Sequence, residues 1–182
     1  SWTLTAKGMK SDYTPPDMEE DENSQDPHCV VGCVAAPDVL WSQHHCGIYR
    51  SVDAGKFWQQ ITTPISIDFP SVFGFAVAVD PANPLRAWFA PAIKDEKRYP
   101  VNGKLVVTRT DDGGKTFKAF DKGLPQTDAY DLVYRHGLAV APNGQDLAMA
   151  STTGSLWVSG DAGESWETVS QNLPPVAVVK FV

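Results

Sequence analysis

The chain has 182 residues, 42% of them hydrophobic, and a net charge of −7 at neutral pH. That suffices for one domain with its own core; no apolar run approaches the ~20 residues of a membrane span, and no charged-then-apolar opening reads as a secretory signal. Six acidic residues fall between Asp17 and Asp26 with no Lys or Arg among them, leaving the remainder nearly neutral, so nucleic acid is not an expected partner.

Taken in order, Ser1-Trp2 and the alternating run Thr3-Leu4-Thr5-Ala6 precede Gly8, and residues 10–26 form a polar, acidic, Pro-containing loop. Its composition argues against packed structure of its own. Three similar units follow. Each opens on an apolar strand that ends at a Pro turn (30–36, 75–80 and 137–141), and a second short strand comes next (39–43, 86–90 and 146–151). A third strand occupies 48–50, 105–109 and 156–158, and a fourth 57–61, 117–120 and 166–170. Runs such as Phe75-Ala-Val-Ala-Val79 are apolar on both faces and so should be buried on both. Residues 176–182 have the pattern of one more first strand, and helical periodicity is absent.

Between third and fourth strands one motif recurs: a hydroxyl residue, an Asp two later, a Gly four later and an aromatic seven later. Its copies are Ser51, Asp53, Gly55 and Trp58; Thr110, Asp112, Gly114 and Phe117; and Ser159, Asp161, Gly163 and Trp166. A motif at a fixed place in successive units marks a repeat architecture. Physically it is a tight hairpin in which the Asp accepts turn N–H groups, Gly takes a positive φ and the aromatic packs back. Ser1-Trp2 match the last two motif positions, so the chain is expected to begin inside a repeat. Four antiparallel strands per unit, with a doubly buried inner strand, describe the blades of an all-β propeller.

The three motifs resemble the Asp-box, or BNR, repeat of sialidase-like propellers, which also occurs in sortilin-type receptors, xyloglucan-degrading enzymes and Ycf48-like photosystem II assembly factors. The segments Gln25-Asp-Pro-His28, Gln43-His-His-Cys-Gly-Ile-Tyr-Arg50 and Phe73-Gly-Phe-Ala-Val-Ala-Val79 look closer to bacterial BNR-repeat proteins of the glycosyl hydrolase or exo-α-sialidase-like kind. The resemblance implies a partial propeller of about three four-stranded antiparallel blades, a fragment of a six- to eight-bladed ring. On that plan residues 1–9 end a preceding blade, 10–28 are the acidic loop, 29–62, 73–121 and 135–171 are blades, and 176–182 open a further one. Three blades cannot close a ring, so the rest is expected from the same gene product or from a second copy. In the family the Asp boxes lie away from the catalytic cleft, so function is expected at the opposite ends of the strands.

That opposite face gathers three constellations. His28 is expected near His44, His45 and Cys46, a corner whose imidazoles and thiol could bind a transition metal; neighbours on a strand point oppositely, so one of His44 and His45 joins. The alternative is that these histidines bond loop backbone. The loop 91–104, an insertion, carries Arg98 and Tyr99, residues suited to recognition on a rigid scaffold. Residues 122–136 carry Asp128, Tyr130, Asp131, Tyr134, Arg135 and His136, of which Asp131, Tyr130 and Arg135 are the catalytic candidates and the others binding candidates. The acidic loop could hold calcium on charge alone, although it lacks a spaced ligand pattern.

A sialidase needs an arginine cluster, a Tyr nucleophile with a partner Glu, and an Asp acid/base. Only Arg98 and Arg135 are placed to reach the cleft, so a complete sialidase site is not expected in this chain. A glycan- or protein-binding or scaffold module ranks first. A glycoside hydrolase completed by missing blades is the alternative, and a metal-binding propeller the second. Cys29, Cys33 and Cys46 are odd in number, and the first two are ~13 Å apart if both lie on one strand. No disulfide framework follows, which favours a reducing, cytoplasmic setting.

Overall fold

The structure is a computed structural model, described here over residues 3–61 and 71–182; the expectations for Ser1-Trp2 and for position 62, the last of the expected blade 29–62, lie outside these. Among the described residues it is all-β: twelve strands in three four-stranded antiparallel sheets, with two short 3-10 turns at Glu22–Ser24 and Val101–Gly103. The first sheet runs β1 (Pro27–Cys33), β2 (Ala36–His44), β3 (Gly47–Ser51) and β4 (Gln59–Gln60). The second runs β5 (Gly74–Val79), β6 (Ala87–Pro91), β7 (Val107–Thr110) and β8 (Lys118–Phe120). The third runs β9 (Leu138–Val140), β10 (Leu147–Ala150), β11 (Leu156–Ser159) and β12 (Glu167–Ser170). These are three blades of a partial β-propeller.

The core lies between blades, because each sheet has two apolar faces to cover. On β5 every residue is buried. Ala76 and Ala78 join Trp88, Val107, Leu138, Met149 and Trp157 in the layer shared with the third blade. Val77 and Val79 face the other way, toward Cys29, Cys33, Trp41 and Ile48 of the first. Strand alternation thus sends one apolar run into two cores. The rule does not extend to β1, where Val30 is 46% exposed and Val34, in the following turn, 78%. Among the described residues no further four-stranded sheet covers Val30 and Val34; the segment with Ala6 and Met9 packs on Tyr49 and Trp58 instead.

Each hairpin motif closes through one local network. Ser51 Oγ donates to Asp53 Oδ1 at 2.7 Å and accepts from Gly55 N–H at 2.9 Å, while Phe57 N–H donates to Asp53 Oδ1 at 3.0 Å. The same bonds recur from Thr110, Gly114 and Thr116 around Asp112 and from Ser159, Gly163 and Ser165 around Asp161. Burial pushes the Asp112 carboxyl up, but the bonds from Thr116, Thr110 and Lys115 outweigh it and hold the group at about 2, below the usual 3.8. The aromatics Trp58, Phe117 and Trp166 sit in the turn itself, and the return strand begins just after them.

Two corrections concern the first blade. Pro37 does not end its first strand; the turn is Val34-Ala35 and Pro37 lies inside β2, opposite a break in register between Gly32 and Cys33, where no N–H is required. The acidic loop is also packed. Ser11 is fully buried and Met9 2% exposed; Ser11 N–H donates to Glu19 O (2.9 Å), the Tyr13 hydroxyl to Ser24 O (2.7 Å) and Gln25 Nε2 to Asp21 O (2.9 Å). Its carboxylates serve the chain: Glu22 accepts Ala6 N–H at 2.8 Å, Asp21 accepts Asn23 N–H at 3.0 Å and Glu20 pairs with Lys10 at 2.7 Å. Composition misses this because the partners are backbone atoms.

The hairpin ends of the second and third blades are tied by Arg109, which is 6% exposed. Its Nη1 donates to Ala162 O (2.9 Å), its Nη2 to Glu164 (3.0 Å) and its Nε to Asp111 (3.0 Å). At the tail, Val178 forms an isolated parallel bridge with His136.

Candidate functional site

The β2–β3 turn and the approach to β1 meet at the end of the blade away from the hairpins. Along β1 the register skips from Pro27 opposite His44 to Cys29 opposite Gln43, so His28 is the extra residue of a β-bulge. A bulge re-aims the side chain it carries. The His28 ring turns toward the second blade and stacks on Phe75, centroids 4.4 Å apart. Its Nδ1 lies 2.7 Å from Gly74 O and its Nε2 3.3 Å from Asp26 Oδ2. The same Asp26 oxygen is 3.6 Å from His45 Nδ1. Burial lowers the His28 pKa from its ordinary value.

Of the expected metal corner, then, His28 and His45 come together and Asp26 joins them. His44 does not. It is fully buried, the backbone N–H groups of Cys46 and Asp26 point at its two ring nitrogens (3.0 and 3.1 Å), and burial holds its pKa down to about 4. Cys46 turns away too: its thiol donates to Asp12 Oδ1 at 2.9 Å, and burial together with that bond pushes its pKa up to about 12. Asp26 was legible only as one acid of the loop, because the bulge that aims His28 at it has no sequence signature.

Phe75 is also the floor of a second cluster. The guanidinium carbons of Arg98 and Arg135 lie 5.3 and 5.7 Å from its ring centroid, and Tyr134 stacks on it at 5.2 Å. Arg98 pairs with Asp95. Arg135 Nη1 donates to the Tyr134 hydroxyl oxygen, and its guanidinium covers the Tyr134 ring at 4.8 Å; among the described residues no carboxylate pairs with it. Tyr99 and Tyr130 touch, 5.5 Å apart.

The remaining candidates stand apart. Asp131 Oδ1 accepts the hydroxyls of Ser151 (2.8 Å) and Thr153. Asp128 is exposed at positive φ (52°), and exposed His136 uses its carbonyl to accept Val179 N–H at 2.9 Å. Sequence reading misses Phe75, taken only as core, and the hydroxyl partners of Asp131, which come from a different strand end.

No family model matches the chain. Sortilin of Rattus norvegicus is 29% identical over 146 residues, covering 77% of this chain and 15% of sortilin. The GH74 xyloglucanase from Xanthomonas campestris superposes with a TM-score of 0.60 at 23% identity, covering 91% of this chain and 22% of the enzyme. YCF48 from Cyanidioschyzon merolae gives 0.56 at 14% identity over 82% of this chain and 41% of YCF48, and YCF48 bound to a D1 peptide gives 0.52 at 14% identity over 84% and 44%. The chain therefore spans less than half the length of each of these proteins. The structural likenesses show the fold, a β-propeller.

Proposed function

We propose that this chain is part of an Asp-box (BNR-repeat) propeller of the sialidase-like kind, and that the face opposite its hairpins binds a ligand carrying a carboxylate, on a glycan or a protein segment. The observation that carries the reading is Arg135, held over Phe75 and Tyr134 beside Arg98 with no carboxylate partner among the described residues. A planar guanidinium fixed on an aromatic floor is pre-organised for bidentate carboxylate binding. Tyr99, next in sequence to Arg98, touches Tyr130, and the two supply flat apolar area of the kind sugar rings and peptide side chains both use. The structure of YCF48 bound to a D1 peptide supports the reading, since it has a propeller of this fold with a peptide bound.

The test is a binding screen of acidic glycans and acidic peptides against the protein, followed by Arg135→Gln. Losing one charge-assisted contact should weaken binding about 10- to 100-fold and flatten its salt dependence. Ligand binding indifferent to Arg135→Gln would remove the reading. A hydrolase is the second reading, favoured by Asp131 beside Ser151 and Thr153. Glycan turnover abolished by Asp131→Asn would promote it to first.

A further inference from the structure

We propose that Asp26, His28 and His45 form a binding site for a divalent transition-metal ion, held by two imidazoles and one carboxylate with further coordination positions open to solvent. The bond between His28 and Gly74 carries the argument. A carbonyl oxygen can only accept, so His28 Nδ1, 2.7 Å from Gly74 O, bears the hydrogen. In the neutral ring Nε2 is then a bare lone pair. It belongs to a ring only 5% exposed and faces Asp26 Oδ2, another lone-pair donor, at 3.3 Å. Two lone-pair donors facing one another are best satisfied by a positive centre between them.

The spacing fits a metal. Ligand atoms about 2.0–2.2 Å from a tetrahedral ion stand about 3.3–3.6 Å from one another. His28 Nε2 and His45 Nδ1 lie 3.3 and 3.6 Å from the shared Asp26 oxygen, and all three ligand atoms fall within 4.8 Å of each other. An imidazole whose far N–H is anchored on a backbone carbonyl is the usual way a protein orients a metal-binding histidine. Here the anchor comes from the next blade, and Phe75 fixes the ring plane. Tyr13 packs its edge on His45 at 4.9 Å and holds the more exposed ligand. The Asp26 side chain, 51% exposed, leaves an entry path and room for water or a ligand group. Two nitrogens and one oxygen, with no sulfur, suit Zn(II), Fe(II) or Cu(II) rather than a soft thiolate-seeking ion.

The other positive centre is a proton shared by His28 and Asp26, and the experiment separates the two. Protein stripped with a chelator is titrated with Zn(II), and with Co(II) as a spectroscopic probe. One ion per chain is expected, with a rise in melting temperature and a Co(II) spectrum free of the near-ultraviolet thiolate charge-transfer band. Asp26→Asn alters an exposed position and His45→Ala a half-buried one; both keep the buried His28 stack on Phe75, and each should weaken the ion at least about tenfold. Cys46→Ser should leave it bound. Absence of stoichiometric metal with circular dichroism unchanged, affinity untouched by Asp26→Asn, or a thiolate band lost in Cys46→Ser would each overturn the proposal.

Discussion

His28 and Phe75 lie with ring centroids 4.4 Å apart and planes 15° from parallel, although they belong to different blades. The stack joins the imidazole corner of the first blade to the arginine cluster gathered over Phe75, because Arg98 of the second blade and Arg135, just before β9, cover the same phenyl ring. Phe75→Leu keeps an apolar side chain but removes every ring contact. It should cost about 1–2 kcal/mol, read as a shift in urea midpoint. A midpoint equal to that of the unaltered chain would mean the ring is not the shared floor.

Arg109 and Glu164 join the second and third blades at the other face, yet they should not cost the same to lose. Arg109 is 7% exposed at its side chain and donates to Ala162, Glu164 and Asp111, whereas the Glu164 side chain is 56% exposed. Arg109→Met should destabilise by about 1–3 kcal/mol through lost charge-assisted bonds. Glu164→Gln should cost under about 1 kcal/mol, since an exposed pair is screened. Equal losses in denaturant melts would contradict the assignment of Arg109 as the buried tie.

The hairpin carboxylates should leave a pH signature. Asp112 is held at about 2 against an ordinary 3.8, so its contribution is complete above 3.8 and is lost as pH falls from there through about 2. Asp53, bonded first by Ser51, is depressed too, and so is Asp161, where bonds from Ser165 and Ser159 outweigh the larger opposing effect of burial. Thermal melts should therefore fall steeply across that window, and Asp112→Asn should be less stable at neutral pH and lose less within it. Parallel curves for the two proteins would refute this.

Gly123 has φ of +84°, and a Cβ there would stand 1.8 Å from Trp166 O; Gly8 repeats the arrangement with φ of +93° and Trp58 O at 2.2 Å. At Gly123 the chain leaving the second blade runs against the backbone of the third blade's motif aromatic, and Lys7-Gly8 runs in the same way against that of the first blade: Trp166 N–H donates to Lys122 O and Trp58 N–H to Lys7 O. Gly123→Ala combines an unfavourable φ with a backbone clash and should cost more than about 1 kcal/mol. A calorimetric melt unchanged by that substitution would show that the backbone yields freely.

What the sequence disclosed and what it withheld follow from the range of the forces involved. Strands and hairpins were legible because their determinants are local: a Gly at positive φ, an Asp accepting N–H groups within four residues, alternation on β5. The equivalence of Gly8 and Gly123 was also readable, each preceded by Lys and followed by Met or Leu, but its purpose lies in another blade. The packing of residues 10–26 is not legible, because composition does not show which donors meet its acids, as Ala6 N–H meets Glu22 and Asn23 N–H meets Asp21. The proposed metal corner is half legible. His28 and His45 were singled out, but strand alternation could not decide between His44 and His45 without knowing where the ladder skips a residue.

That skip bears on how the corner could be gained or lost over time. His28 owes its direction to one residue more on β1 than β2 can pair. Removing Pro27 would place His28 opposite His44 in an unbroken ladder and swing the imidazole out of line with Asp26, with every other letter of the chain intact. The corner is therefore specified by chain length as well as by chemistry. A relative with the same histidines and one residue fewer would keep the blade and lose the site.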